Sequence, residues 1–141
     1  MSLYSQFKMD EKKEIDGVKI LFSEAENEDG TIPAFFISRM GKTNKRYSKA
    51  LDIATRPYRR QLELGTLASD VAESVFMSVF ADTVLMGWEN VRDAKGKDIV
   101  FNAQNAIKLF HDLPDVYERL QEESKIVSNF RSAELESEAK N

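Results

Sequence analysis

Short alternating apolar runs near the start of the chain give way, from about residue 44, to apolar positions spaced three and four apart. In residues 17–24, Val18, Ile20 and Phe22 fall on every second position, the period of a strand with one buried face. Residues 31–38 (TIPAFFIS) form a second β-branched and aromatic run. Asp29-Gly30 lies between them and supplies a residue tolerant of positive φ, so the pair reads as a two-stranded hairpin. Pro33 has no N–H to give to a ladder, which places it at a strand's start or on an edge. A lone hairpin is marginal in water and must lie on helices or pair with another chain.

The helical period begins at Asn44, a capping residue, and puts Tyr47, Ala50, Leu51 and Ala54 on one face. Pro57 ends that helix and can open another, short one, which reaches about residue 64 and stops at Gly65. Ser69 is placed to cap a long helix in which Val71, Val75, Phe76, Val79, Phe80, Val84, Leu85 and Trp88 occupy more than one stripe. A helix apolar over so wide an arc reads as the buried centre of the core, with Trp88 at its end against the Ile107 and Phe110 face. Asp93-Ala94-Lys95-Gly96 is a turn, followed by a brief extended run over residues 98–101. Asn102 caps a helix whose Ala103, Ala106, Ile107 and Phe110 face inward. Asp112 and Pro114 open the last helical region, apolar at Val116, Tyr117, Leu120, Val127 and Phe130, with Ser128-Asn129 as a candidate break.

These elements predict an α+β fold: an N-terminal β-hairpin packed on a mostly α-helical domain of about five helices. The expected organisation is an N-terminal segment over residues 1–16, a single domain over 17–131 and a polar, fraying tail over 132–141. Trp88, Phe76, Phe80, Ile107 and Phe110 are its expected core. A chain of 141 residues is most simply one domain and can bury about two-thirds of its unfolded surface. It has no cysteine, which excludes disulfides, thiolate metal sites and cysteine nucleophiles and suits a reducing cytosol. No apolar run reaches the roughly 18 residues of a membrane span, and the N-terminus lacks an apolar signal core. The expectation is a chain made and kept in the cytoplasm of its cell.

Charge is segregated. Residues 1–41 hold five basic and eight acidic side chains, net −3. Residues 42–60 hold seven basic (Lys42, Lys45, Arg46, Lys49, Arg56, Arg59, Arg60) against Asp52 alone, net +6. Residues 61–141 hold eight basic and fifteen acidic, net −7, for a total of −4. One basic segment inside an acidic protein would steer a complementary acidic surface.

Little else in the chain carries chemistry. His111, the only histidine, sits in the last turn of a helix, where an exposed imidazole near carbonyl ends is structurally sensible, and no second histidine or cysteine completes a metal site. DAKGKD at 93–98 places Lys95 at the third position and Gln104 at the twelfth of a would-be calcium loop, so a β-turn is the better account. Asp112 with Asp115, and Glu122 with Glu123, lie at a helix start or on a solvated face. No phosphate loop, nucleophile elbow or triad order is present. No catalytic or metal-binding residue and no cofactor is therefore expected. In the basic segment, cations beside Tyr47 and Tyr58 could meet phosphates and stacked bases, form a protein-contact surface or simply be solvated. The net acidity of the whole chain argues against general nucleic-acid affinity.

Four passages, in order, resemble the bacteriophage tail assembly chaperone family, of the siphophage type that binds the tape measure protein. They are the hairpin leading through Arg39, Asn44 and Tyr47; the apolar helix ending in Gly87-Trp88-Glu89-Asn90-Val91; Asp93, Gly96, Ile99 and Phe101 before a helix with Leu109-Phe110; and Leu113-Pro114-Asp115 followed by a helix and Asn129-Phe130-Arg131. The resemblance covers about residues 17–131. It implies a non-catalytic protein made in the host cell cytoplasm during infection. Such a protein binds the long, largely helical tape measure protein, keeps it soluble, helps recruit tail tube subunits and is absent from the mature virion. It implies a client surface, for which the candidates are Lys45, Arg46, Lys49, Arg56, Arg59 and Arg60 as a rim, with Phe35 or Phe36 on whichever hairpin face is outward. In this family a longer form, made by ribosomal frameshifting near the stop codon, often recruits the tube protein. Lys140-Asn141 is compatible with slippery codons and equally with others. Unpaired hairpin edges add an expectation of self-association when no client is present. The alternative is a small DNA-associated or regulatory protein using residues 42–60, which retention on heparin would reveal.

Overall fold

The computed structural model describes residues 2–130. Along them run α1 (Leu3–Phe7), α2 (Glu11–Asp16), β1 (Val18–Leu21), β2 (Ala34–Ile37), α3 (Lys45–Thr55), α4 (Arg59–Leu64), α5 (Ser69–Val79), β3 (Leu85–Glu89), α6 (Ala103–Asp112) and α7 (Pro114–Lys125). The α+β class and the N-terminal hairpin are as expected: β1 and β2 pair antiparallel from Val18↔Ile37 to Leu21↔Ala34. Gly17, just before β1, has φ +92°, and a Cβ there would lie 2.9 Å from the Ile37 carbonyl oxygen. Only glycine fits that approach.

The long helix expected to end at Trp88 does not form. The helix α5 stops at Val79, a π-helical turn covers Phe80–Val84, and the chain then extends as β3. β3 pairs antiparallel with β2 (Phe35↔Trp88, Phe36↔Gly87), giving a three-stranded sheet in the order β1-β2-β3. Buried strand and buried helix share a continuous apolar pattern, so periodicity alone could not separate them. What decides it is the open edge of β2, whose N–H and C=O groups need partners. Thr83 and Val84 are β-branched, and Gly87 is a poor helix former. The junction is fixed by hydrogen bonds. Thr83 Oγ1 donates to the Val79 carbonyl at 2.6 Å. The Ser38 N–H donates to the Val84 carbonyl at 2.8 Å. The hydroxyl of buried Ser38 reaches the same carbonyl at 3.2 Å.

Phe22, Phe35, Ile37, Met77, Phe80, Val84, Phe110, Tyr117 and Leu120 form the core between the sheet and the helices. Phe80 meets Phe110 and Tyr117 edge-on, with ring centroids 5.9 and 5.4 Å apart. Phe80 and Phe110 thus occupy the expected core, and Ile107 packs against it partly buried. One expected core residue is open to solvent, and Trp88 packs against the core from a different place. Phe76 is 37% exposed, because the truncated helix turns Met77 and Phe80 inward and leaves the flank of its wide apolar arc open. Trp88 is partly buried on the inner sheet face, with Phe35 and Phe101 as its ring partners at 6.0 and 5.1 Å, instead of ending a helix against Ile107 and Phe110. Its indole N–H donates to the Ile99 carbonyl at 2.8 Å. That bond ties β3 to the extended run before α6.

Helix ends follow local chemistry. Asn102 accepts the Asn105 N–H at 2.7 Å and caps α6, and Gly65 closes α4 in the left-handed conformation at φ 68°. Ser69 is the first residue of α5 and not its cap; Ala68 holds that position without a side-chain bond. The last helix ends at Lys125, before a 3₁₀ turn over Val127–Phe130. Residues 2–16, to which the pattern assigned no element, form α1 and α2, capped by Ser2 and Asp10. The Asp10 N–H donates to the carbonyl of fully buried Phe130 at 2.9 Å, which joins the N-terminal segment to the end of the described chain. The expected tail, residues 132–141, lies outside the described residues, as does the Lys140-Asn141 dipeptide.

Candidate functional site

Asn44 sets the direction of α3. Its Oδ1 accepts the Tyr47 N–H at 3.1 Å, while its Nδ2 donates to the Arg39 carbonyl at 2.9 Å and to the Ser38 hydroxyl at 3.1 Å. One side chain therefore caps the helix and ties it to the end of β2. That explains why Arg39, Asn44 and Tyr47 occur at this spacing. Tyr47 then packs against the core, and the same burial raises its pKa. Ala50, Leu51 and Ala54 are partly buried on the same side.

The opposite side of α3 and α4 is the basic surface anticipated from charge. Lys45, Arg46, Lys49, Arg56, Arg59 and Arg60 are all exposed. Arg46 donates to the Asp82 carbonyl at 2.9 Å, reaching the solvent side of the π-helical turn. Asp52 is shared by Arg56 at 2.6 Å and Arg59 at 3.2 Å. The Arg56 hydrogen bond, more than any other contact, holds its carboxyl below the usual range. The lone acid of the segment is thus occupied within it, and the surface stays strongly positive.

Beside these cations lies an apolar groove of about 570 Å³ between α3 and α5. Ile53, Ala54, Pro57, Tyr58, Val71 and Val75 form its apolar lining, and Asp70, Ser74 and Ser78 line it as polar residues. Ile53 is 53% exposed, and Leu62 and Leu64 on α4 are exposed as well. Sequence reasoning missed this groove. Its signal was Ile53, a large apolar residue four positions after Lys49 and off the inward stripe of α3. On the hairpin, Phe35 is buried between Phe22 and Trp88. Phe36 is therefore the outward one, with Lys19 stacked over its ring at 5.9 Å and Gly87 opposite it. It belongs to the sheet, among Lys19 and Glu89, whereas the six cations belong to α3, α4 and the turn between them.

The loop at 93–98 is a turn built on Asp93, whose Oδ1 accepts the N–H groups of Lys95 and Lys97 at 2.9 and 3.0 Å. Among the described residues no group of three or more His, Cys, Asp or Glu side chains could hold a metal ion. No helix among them is long and apolar enough to cross a membrane. His111 is exposed in the last turn of α6. Arg92 clips the hairpin loop to the 93–98 turn through Asp29 at 2.8 Å and Asp98 at 2.9 Å.

Arg92, then Thr31, hold the Asp29 carboxyl well below the ordinary carboxylate range. A depressed carboxyl stabilises the fold fully above its unfolded pKa, about 3.9, and loses that contribution as the pH falls towards the folded value. Thermal melts of the wild type and Asp29→Asn should therefore differ at neutral pH and draw together progressively as the pH falls below about 4. A difference that persists undiminished in acid would show that the clip does not depend on the carboxylate.

A capped basic helix, an apolar groove beside it and a sheet clipped at both ends define a small α+β protein distinguished by its helical surface. The chain belongs to the YdaY prophage protein family, whose model matches residues 42–141, and it is thus phage-derived. The matched stretch begins just ahead of α3 and contains the basic surface, the groove and β3. No curated protein and no solved structure matches the chain.

Proposed function

We propose that this prophage protein is a non-catalytic tail assembly chaperone that binds the tape measure protein, keeps it soluble and helps recruit tail tube subunits. The observation that carries the reading is the groove between α3 and α5 together with the exposed cations of the neighbouring 45–60 stretch, all within the family-matched stretch. A holdase needs that pairing. Apolar anchors supply affinity for exposed client stretches, and a basic rim speeds and orients the encounter. Binding the unassembled client lowers its free concentration and so its aggregation. The resemblance adds support, since its passages fall on structural joints: the Asn44 tie, the Trp88–Ile99 bond and the turn on Asp93. On this reading the protein acts in the host cytoplasm during infection and is absent from the mature virion. A frameshifted longer form sharing this domain would bring in the tube protein.

The nucleic-acid alternative is less well supported. Tyr47, one of its two stacking candidates, is packed against the core, and the other, Tyr58, lines the groove. A tape measure fragment expressed with this protein should stay soluble at concentrations where it aggregates beside an unrelated acidic protein of equal size. Equal aggregation in both, together with retention of the protein on heparin at moderate salt, would overturn the chaperone reading.

A further inference from the structure

The hairpin has two outer edges. β3 pairs with the one on β2, and the other belongs to β1. The register sets the direction of the β1 backbone groups. The Phe22 N–H donates to the Pro33 carbonyl at 2.9 Å, so Val18, Ile20 and Phe22 turn their N–H and C=O groups towards β2. Those of Lys19 and Leu21 point outward, in the arrangement that invites another strand. A cleft of about 410 Å³ lies beside this edge, lined by Lys13, Gly17, Val18, Lys19, Ile20 and Asn129. The Leu21 side chain is itself exposed.

A single side chain of α7 closes the Leu21 end. Arg119 donates through Nη2 to the Leu21 carbonyl at 3.2 Å. Through Nη1 it pairs with Glu24, and its guanidinium lies over the Phe22 ring, 4.1 Å from the centroid. A hydrogen bond, an ion pair and a cation–π contact thus hold it along the strand.

We propose that Arg119 guards the β1 edge and keeps a second copy of this chain from adding its own β1 to the sheet. It acts in two ways. It occupies the Leu21 carbonyl, an acceptor that an incoming strand needs. It also puts a cation where that strand would bring another. In a two-fold antiparallel pairing, the outward groups of Lys19 meet those of Leu21 in the second copy. Lys19 of that copy then comes to rest beside Arg119, and like charges facing each other across strands are unfavourable. The hairpin-edge association expected from sequence is therefore held in check by α7. This role is independent of what the client is.

Sedimentation velocity on the full chain tests it, with circular dichroism to check folding. Arg119→Ala should strengthen self-association about tenfold or more over the wild type, and Arg119→Glu should strengthen it further, because it sets an acid against the incoming lysine. Adding Leu21→Pro to either variant should restore the wild-type behaviour. Proline there removes an N–H that faces outward, so it blocks the edge without taking a hydrogen bond from the β1–β2 ladder. Should the Arg119 variants fail to fold, Glu24→Ala decides: it alters an exposed side chain, frees the guanidinium from its ion pair, and should give a smaller increase with the same reversal by Leu21→Pro. The proposal is overturned if the folded variants associate no more than the wild type, or if their association survives Leu21→Pro.

Discussion

Replacing Trp88 with alanine is expected to cost about 3 kcal/mol, at the lower end of the range for removing a large aromatic side chain, because the indole is only partly buried. The loss has three parts. The ring leaves a void between Phe35 on β2 and Phe101 before α6. Edge-on contacts to both rings disappear. The Ile99 carbonyl loses the indole N–H it accepts at 2.8 Å. Trp88→Phe should recover part of the packing without restoring the hydrogen bond, and so fall between the two. Denaturant melts read the stability, and fluorescence reads the environment. Native emission should lie to the blue of water-exposed tryptophan and shift red on unfolding. A native maximum already at the water-exposed position would remove the basis of the prediction.

How much of this was legible in the sequence depends on the range of the interaction that decides each element. Asn44, Asn102, Gly65 and the Asp93–Gly96 turn were readable because each is settled by a side chain and backbone groups a few residues away. The class and the hairpin were readable because alternation over Val18, Ile20 and Phe22 has only one structural meaning. β3 was not readable. Its residues suit a buried helix as well as a buried strand, and the choice is made by β2, remote in sequence. Once Leu85–Glu89 leaves the helix, the places of Trp88 and Phe76 both change.

The site shows the same division. Charge counting found the six cations, since exposed lysines and arginines on a helix opposite Tyr47, Leu51 and Ala54 follow from its period. Counting could not say that Asp52 is already taken by Arg56 and Arg59. Nor could it find the groove, because one wall belongs to α3 and the other to α5, and neither stretch is distinctive alone. Of the two hairpin phenylalanines, only the register decides that Phe35 faces the core and Phe36 the outer sheet face.

Reversing Lys45, Lys49 and Arg60 to glutamate is expected to slow client association by on the order of tenfold at low salt and to flatten its salt dependence. Each reversal changes the charge by two units, so the net charge of residues 42–60 falls from +6 to zero. These three are chosen because Arg56 and Arg59 also hold Asp52, and reversing those would add carboxylate repulsion within the helix pair. All three chosen side chains are exposed, so stability should change by less than about 0.5 kcal/mol. Dissociation should change little, because the anchors are apolar and screened charges on a rim act mainly on the encounter. Stopped-flow mixing with a labelled tape measure fragment at several salt concentrations separates the two rates. An unchanged association rate and salt response would reduce the basic surface to a solvated face. A loss confined to dissociation would move the cations from the rim into the contact itself.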